Sequence, residues 1–120
     1  MFELVRAARK MIGSALLGAV MITPVLTHAS MAAETGQTHQ IRIEKFKFVP
    51  AELTIKTGDT VEWTNGDIAP HTATESAREW DTKTLSKGKS GVLTFSTPGV
   101  QSYICRFHPN MKGKITVVEK

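Results

Sequence analysis

Apolar and polar residues alternate in short runs along most of the chain, and nowhere do apolar residues recur at helical spacing over three turns. Ile41 and Ile43, with Phe46, fall on one side of such a run, and Arg42 and Glu44 on the other. Leu53-Thr54-Ile55 and Val61-Glu62-Trp63 repeat the period of two, the mark of strands buried on one face. Lys56-Thr57-Gly58-Asp59 predicts a turn between them, because glycine accepts a positive φ and aspartate bonds the local backbone. Further strands are predicted at residues 71–74, 91–96, 100–105 and 114–119, with Pro98-Gly99 breaking the chain before the one that ends in Cys105. Residues 74–90 show no clear period and suit a short helical turn or a loop with a small strand. Short strands separated by turn signals predict an all-β fold, an antiparallel sandwich with Greek-key connections.

Residues 1–33 read differently. Arg6, Arg9 and Lys10 form a basic start, residues 11–26 are apolar apart from Ser14, Thr23 and Pro24, and small residues follow at Ala29, Ser30, Ala32 and Ala33. This is the layout of a secretory signal peptide, with cleavage between residues 29 and 33. The other reading is an uncleaved membrane anchor, for which the apolar stretch falls short of the ~20 residues a spanning helix needs. Arg6 and Arg9 are not adjacent, so the route is Sec rather than twin-arginine. The protein is then exported unfolded to the periplasm and takes up any metal outside the cytosol. Residues 34–40 form a polar lead, and residues 41–120 the folded domain.

Composition narrows the function classes. With 120 residues, 41% hydrophobic and 22% charged, the chain suits one compact domain and not a two-domain enzyme. Removing a leader that carries Arg6, Arg9 and Lys10 against Glu3 takes two from the formal charge of +4 and leaves +2. Lysines are scattered among acids without the basic stripe that nucleic-acid binding requires. The surface reads as mixed and solvated.

Cys105 is the single cysteine. An intramolecular disulfide is impossible, and an unpaired thiol in an exported protein needs a reason. Its neighbours supply one: Cys105-Arg106-Phe107-His108-Pro109-Asn110-Met111 places three soft-metal donors within seven positions, just before Gly113 and the last strand. His71 is a fourth candidate, 34 positions upstream and after the loop 66–70. Taken singly, Cys105 reads as a small core residue, His108 as a surface histidine and Met111 as a gap filler. Together they form the donor set of a blue-copper centre, two His and one Cys with a weak axial Met. Zinc favours paired cysteines or carboxylates, and iron–sulfur clusters need more cysteines. A cysteine nucleophile with His108 as base would need an orienting residue, an oxyanion hole and a cleft, and leaves Met111 without a role.

At these residues the chain resembles a known family. Gly58-Asp59-Thr60-Val61-Glu62-Trp63-Thr64-Asn65, Pro70-His71, Trp80-Asp81-Thr82, Leu85, Gly88, Pro98-Gly99, Tyr103-Ile104-Cys105, His108-Pro109, Met111 and Gly113-Lys114-Ile115 are similar to the small cupredoxins of the plastocyanin, pseudoazurin and amicyanin group. The two-residue gap between His108 and Met111 resembles the short loop of amicyanins most closely. The resemblance implies a cupredoxin-like Greek-key β-sandwich holding one type 1 copper ion. His71 and His108 would be the nitrogen ligands, Cys105 the thiolate and Met111 the axial thioether. It implies that Asn65 tethers the ligand loops, that Pro70 and Pro109 stiffen the approaches to the histidines, and that Pro70, Phe107, His108 and Pro109 form a docking patch. The implied function is a periplasmic, monomeric, non-enzymatic one-electron carrier between redox proteins, such as a periplasmic dehydrogenase and a c-type cytochrome or oxidase. The chain departs from amicyanins at Phe107, where they usually have proline, at Asn110, often a large apolar residue, and at Ala69, in place of a methionine. A periplasmic copper-binding or delivery protein is the alternative, but it would show further methionines or histidines. A copper enzyme would need histidines for a second centre, and outside the leader only His39 remains.

Overall fold

The computed structural model describes residues 36–120, together with Gly18 and Ala19. The expected signal peptide lies outside the described residues. Within the compact unit Ala32–Lys120, eight strands follow one another: β1 Thr38–Glu44, β2 Lys47–Val49, β3 Glu52–Lys56, β4 Thr60–Asn65, β5 Thr74–Glu75, β6 Ser90–Thr94, β7 Gly99–Ile104 and β8 Lys112–Val118. No helix occurs among the described residues, and so none there is long and apolar enough to cross a membrane.

The strands form two four-stranded sheets, β2-β1-β4-β6 and β3-β8-β7-β5. The period of two does what was expected of it. In β1, Ile41 and Ile43 point inward; in β4, Val61 and Trp63; in β8, Ile115 and Val117. Trp63 lies at the centre, with ring contacts to Trp80, Phe95 and Tyr103 at 5.5, 6.4 and 5.6 Å between centroids. Truncating a side chain in such a position costs about 3–5 kcal/mol. Burial pushes the Tyr103 hydroxyl up to about 12, an effect the neighbouring Trp63 indole only partly offsets.

Four expectations are corrected. The sheets are mixed rather than antiparallel: β1 runs parallel to β4 and β3 parallel to β8. The chain crosses to the other sheet between β2 and β3 and returns at β4, so sequence neighbours are not always sheet neighbours. Phe46 does not join the Ile41–Ile43 face. It sits in the turn to β2 with φ 57°, next to Lys45 at φ 53°, and Phe48 fills the core in its place. β1 opens at Thr38, inside the stretch read as a polar lead, because Asp59 anchors it: its carboxylate accepts the Gln37 N–H at 2.8 Å and pairs with His39 at 2.9 Å. Residues 71–73 are not a strand, and of the predicted stretch only Thr74 joins one, opening β5. His71 makes an isolated bridge to Leu85 and Thr74 one to Asp81, so the segment up to β6 is a loop laid over the edge of β7, with β5 as its only strand.

Candidate metal centre

One end of the sandwich gathers three loops: the β1–β2 turn, the segment 66–73 after β4, and the segment 105–111 between β7 and β8. The last is a tight connection. Cys105 N–H donates to the Met111 carbonyl at 3.1 Å, His108 N–H to the Cys105 carbonyl at 3.2 Å and Met111 N–H to the His108 carbonyl at 2.8 Å. Three candidate donors on one short loop are therefore fixed by its own backbone. His71 arrives from the other sheet, held by reciprocal bonds with Leu85 of 3.1 and 2.7 Å.

The structure brings the donors together. The Cys105 sulfur lies 3.6 Å from His71 Nδ1 and 3.7 Å from His108 Nδ1, and the three donor atoms fall within 4.8 Å of one another. Metal–sulfur and metal–nitrogen bonds of about 2.3 and 2.0 Å, opened to 110–120°, set sulfur and nitrogen about 3.5–3.7 Å apart. The observed spacing is that of atoms sharing one ion. Cys105, His71 and Met111 are buried, while His108 is partly exposed. A thiolate between two imidazoles is a set suited to copper.

Surrounding groups hold the donors in place. Asn65, fully buried, donates from its amide to the carbonyls of Ala69 at 2.9 Å and Leu85 at 2.8 Å, and accepts the Asp67 N–H at 2.8 Å. One side chain thus ties β4 to both segments that carry His71. Thr72 N–H donates to the Cys105 sulfur at 3.4 Å, which fixes the sulfur against the loop that carries His71. Pro70 and Pro109 are exposed beside the two histidines, as is Phe107.

Two participants escaped the sequence reading. Asp67 bonds His71 Nε2 at 2.9 Å, which leaves Nδ1 free to face the sulfur, and it also accepts the N–H groups of Lys45 and Phe46 at 2.8 and 2.9 Å. Burial alone would raise its carboxyl; the Phe46 and Lys45 amides and the His71 ring outweigh that and hold it below the usual carboxylate range. A carboxylate that orients an imidazole in this way fixes its tautomer toward the metal. Phe46 is the second. Its ring stands edge-on to both imidazoles, 5.2 Å from His71 and 4.9 Å from His108. The carboxylate four positions before His71 was the one available signal; nothing local pointed to Phe46.

A family model for a cupredoxin-like domain matches residues 15–117. The chain belongs to the cupredoxin family. One type 1 copper ion is the cofactor of this cupredoxin, in agreement with its donor set. It is 37% identical over 84 residues to the amicyanin of Paracoccus versutus, an alignment covering 64% of this chain and 62% of that protein. The chain therefore spans somewhat less than two thirds of that relative. The crystal structure of the same amicyanin superposes with a TM-score of 0.61 at 35% identity, over 68% of this cupredoxin and 81% of that chain. Amicyanin-alpha of Methylorubrum extorquens is 34% identical over 94 residues, 74% of this chain and 78% of that one. A copper-containing nitrite reductase from Thermus scotoductus also superposes, with a TM-score of 0.63 at 32% identity, but only 22% of that enzyme is covered.

Proposed function

We propose that this cupredoxin is a periplasmic one-electron carrier, exported through its N-terminal leader and working as a monomer between a dehydrogenase and a c-type cytochrome or oxidase. His71, Cys105 and His108 would hold the copper as its strong ligands and Met111 would add a weak thioether bond. Copper supplies the Cu(I)/Cu(II) couple. The observation that carries the reading is the donor trio, assembled at metal-sharing distances with two members buried and one imidazole reaching the surface.

The protein's own groups do the rest. Asn65, Asp67 and the Thr72 amide hold the donors against rearrangement, so a change of charge at the site meets a frame that moves little. His108 offers a docked partner its shortest path inward, and Phe46, Phe107, Pro70 and Pro109 surround it with apolar surface. A small patch of this kind suits weak, rapidly exchanged encounters with interfaces below ~1,200 Å². Lysines nearby steer an acidic partner, an attraction that salt weakens. The similarity to amicyanins supports a carrier rather than an enzyme, and the nitrite reductase resemblance covers too little of that enzyme to carry its activity.

The test is spectroscopic. Cu(II) added to the mature protein should give a blue thiolate-to-copper band and the narrow hyperfine splitting of a type 1 centre, and Cys105→Ser should abolish both. A colourless protein that prefers zinc, with Cys105 still alkylated in the presence of copper, would overturn the assignment.

A further inference from the structure

Beside the metal centre, Thr72, Lys83, Thr84, Arg106 and Phe107 line an open cleft of about 360 Å³. Its chemistry is unlike that of the apolar patch it adjoins. Arg106 follows Cys105 directly, with its side chain half exposed at 52%, and meets Asp81 at only 3.5 Å through one nitrogen. The other carboxylate oxygen of Asp81 is already taken by the Thr74 hydroxyl at 3.1 Å and the Lys83 N–H at 2.8 Å. The guanidinium makes no other hydrogen bond among the described residues, and Arg106 lines the cleft. Lys83 has no ion-pair partner among the described residues, and Thr84 is exposed next to it.

The floor is tied to the metal's sulfur. Thr74 spends its only hydroxyl proton on Asp81, so its 2.9 Å contact with Thr72 is a bond donated by the Thr72 hydroxyl. That hydroxyl in turn accepts the Arg106 N–H at 2.9 Å, while the Thr72 amide donates to Cys105 Sγ at 3.4 Å. Thr72 is fully engaged, which leaves Arg106, Lys83 and Thr84 as donors aimed at whatever enters. Two cations, one hydroxyl and a flanking aromatic ring make a receptor for a carboxylate carried on a protein surface: the planar fork matches its two oxygens. Phe107, half exposed at 51%, belongs to both the cleft and the patch around His108, so a partner seated on the patch reaches the cleft without a second interface.

We propose that this cleft receives an acidic side chain of the redox partner, pinning it one residue from the copper thiolate and setting its orientation over His108. The proposal rests on the electron-carrier reading and gives its partner a chemistry. A hexaglutamate peptide is a suitable probe, titrated into the Cu(I)-loaded, isotope-labelled protein and followed by amide shifts, with hexaglutamine as the neutral control. Residues 83–84 and 106–107 should shift first, and Arg106→Gln and Lys83→Gln should each weaken binding about fivefold, the upper range for an exposed pair. Lys56→Gln removes the same charge at the end of β3, with the whole of β4 between it and Asn65, and should change affinity less than twofold. Shifts spread evenly over the lysines, or an equal loss in Lys56→Gln, would show diffuse attraction and overturn the cleft. The blue band of the Cu(II) form reports separately: a blue protein with diffuse shifts loses the cleft alone, whereas a colourless one loses the carrier reading.

Discussion

Asn65→Ala isolates the clamp behind the metal centre, and its cost can be worked bond by bond. The substitution deletes two donated bonds and one accepted bond, all between 2.8 and 2.9 Å and all neutral. The Leu85 carbonyl keeps a second partner in His71 N–H, so that loss is the net value of one bond, about 1 kcal/mol. The Ala69 carbonyl and the Asp67 N–H are left without a protein partner in half-buried positions, about 1–2 kcal/mol each. The sum is about 3–5 kcal/mol. A domain of about 85 residues has a total stability of about 4–13 kcal/mol, so the loss is between about a quarter and the whole of what keeps the copper-free protein folded. The assay is urea denaturation of the copper-free protein, since bound metal stabilises the native state by mass action and masks the loss. Thr64→Ala, one residue away, removes an exposed hydroxyl contact to Ser90 and should cost under about 0.5 kcal/mol. If Asn65→Ala lost less than about 1 kcal/mol at unchanged denaturant slope, the idea that Asn65 holds the two segments together would be wrong.

Three further outcomes are expected. Met111→Gln should keep a coloured centre but lower the reduction potential, because a harder donor favours Cu(II); an unchanged spectrum and potential would make Met111 a core residue only. Asp59 is held at about 2, first by the Lys56 N–H, then by His39 and Gln37 against the effect of burial. Its stabilising contribution is therefore complete above the ordinary carboxyl value near 3.8 and lost as pH falls toward 2. Denaturation midpoints measured across that window should fall less steeply in Asp59→Asn, and an identical acid limb would refute the pairing. Phe46→Ala should uncover both imidazoles and speed copper loss to a chelator, and it removes about 100 Å² of apolar burial, about 2 kcal/mol; an unchanged release rate would mean that the ring does not shield the site.

What could be read from the chain alone follows from how local each feature is. Strands β1, β3, β4 and β8 alternate because each buries one face, and alternation is a property of a few adjacent residues. The parallel pairings were not legible, since the period of two sets a strand's buried face and not the direction of its neighbour. Residues 71–74 were read as a strand, but only Thr74 pairs as one; His71, Thr72 and Ala73 form a buried loop held by isolated and polar bonds. In the centre, Cys105, His108 and Met111 were legible as chemistry on a single loop. Asp67 and Phe46 were not, because their meeting depends on register: Ile43 pairs with Asn65 at the end of the β1–β4 ladder, and two residues further on Lys45 stands beside Asp67. The hairpin that carries Phe46 was hidden as well, for its two turn residues are Lys-Phe where Asn-Gly would announce it.

That Lys-Phe turn has a consequence for anyone who would improve the protein. Two successive side-chain-bearing residues at φ 53° and 57° cost about 1–2 kcal/mol each relative to glycine there. The Asp67 carboxylate and the two imidazoles that meet Phe46 edge-on hold them in place. A redesign guided by local turn preference would rewrite these two positions first, install Asn-Gly, and gain stability in a melting experiment. The same edit would strip the aromatic lid from His71 and His108, leaving a hardier scaffold with a leakier metal site.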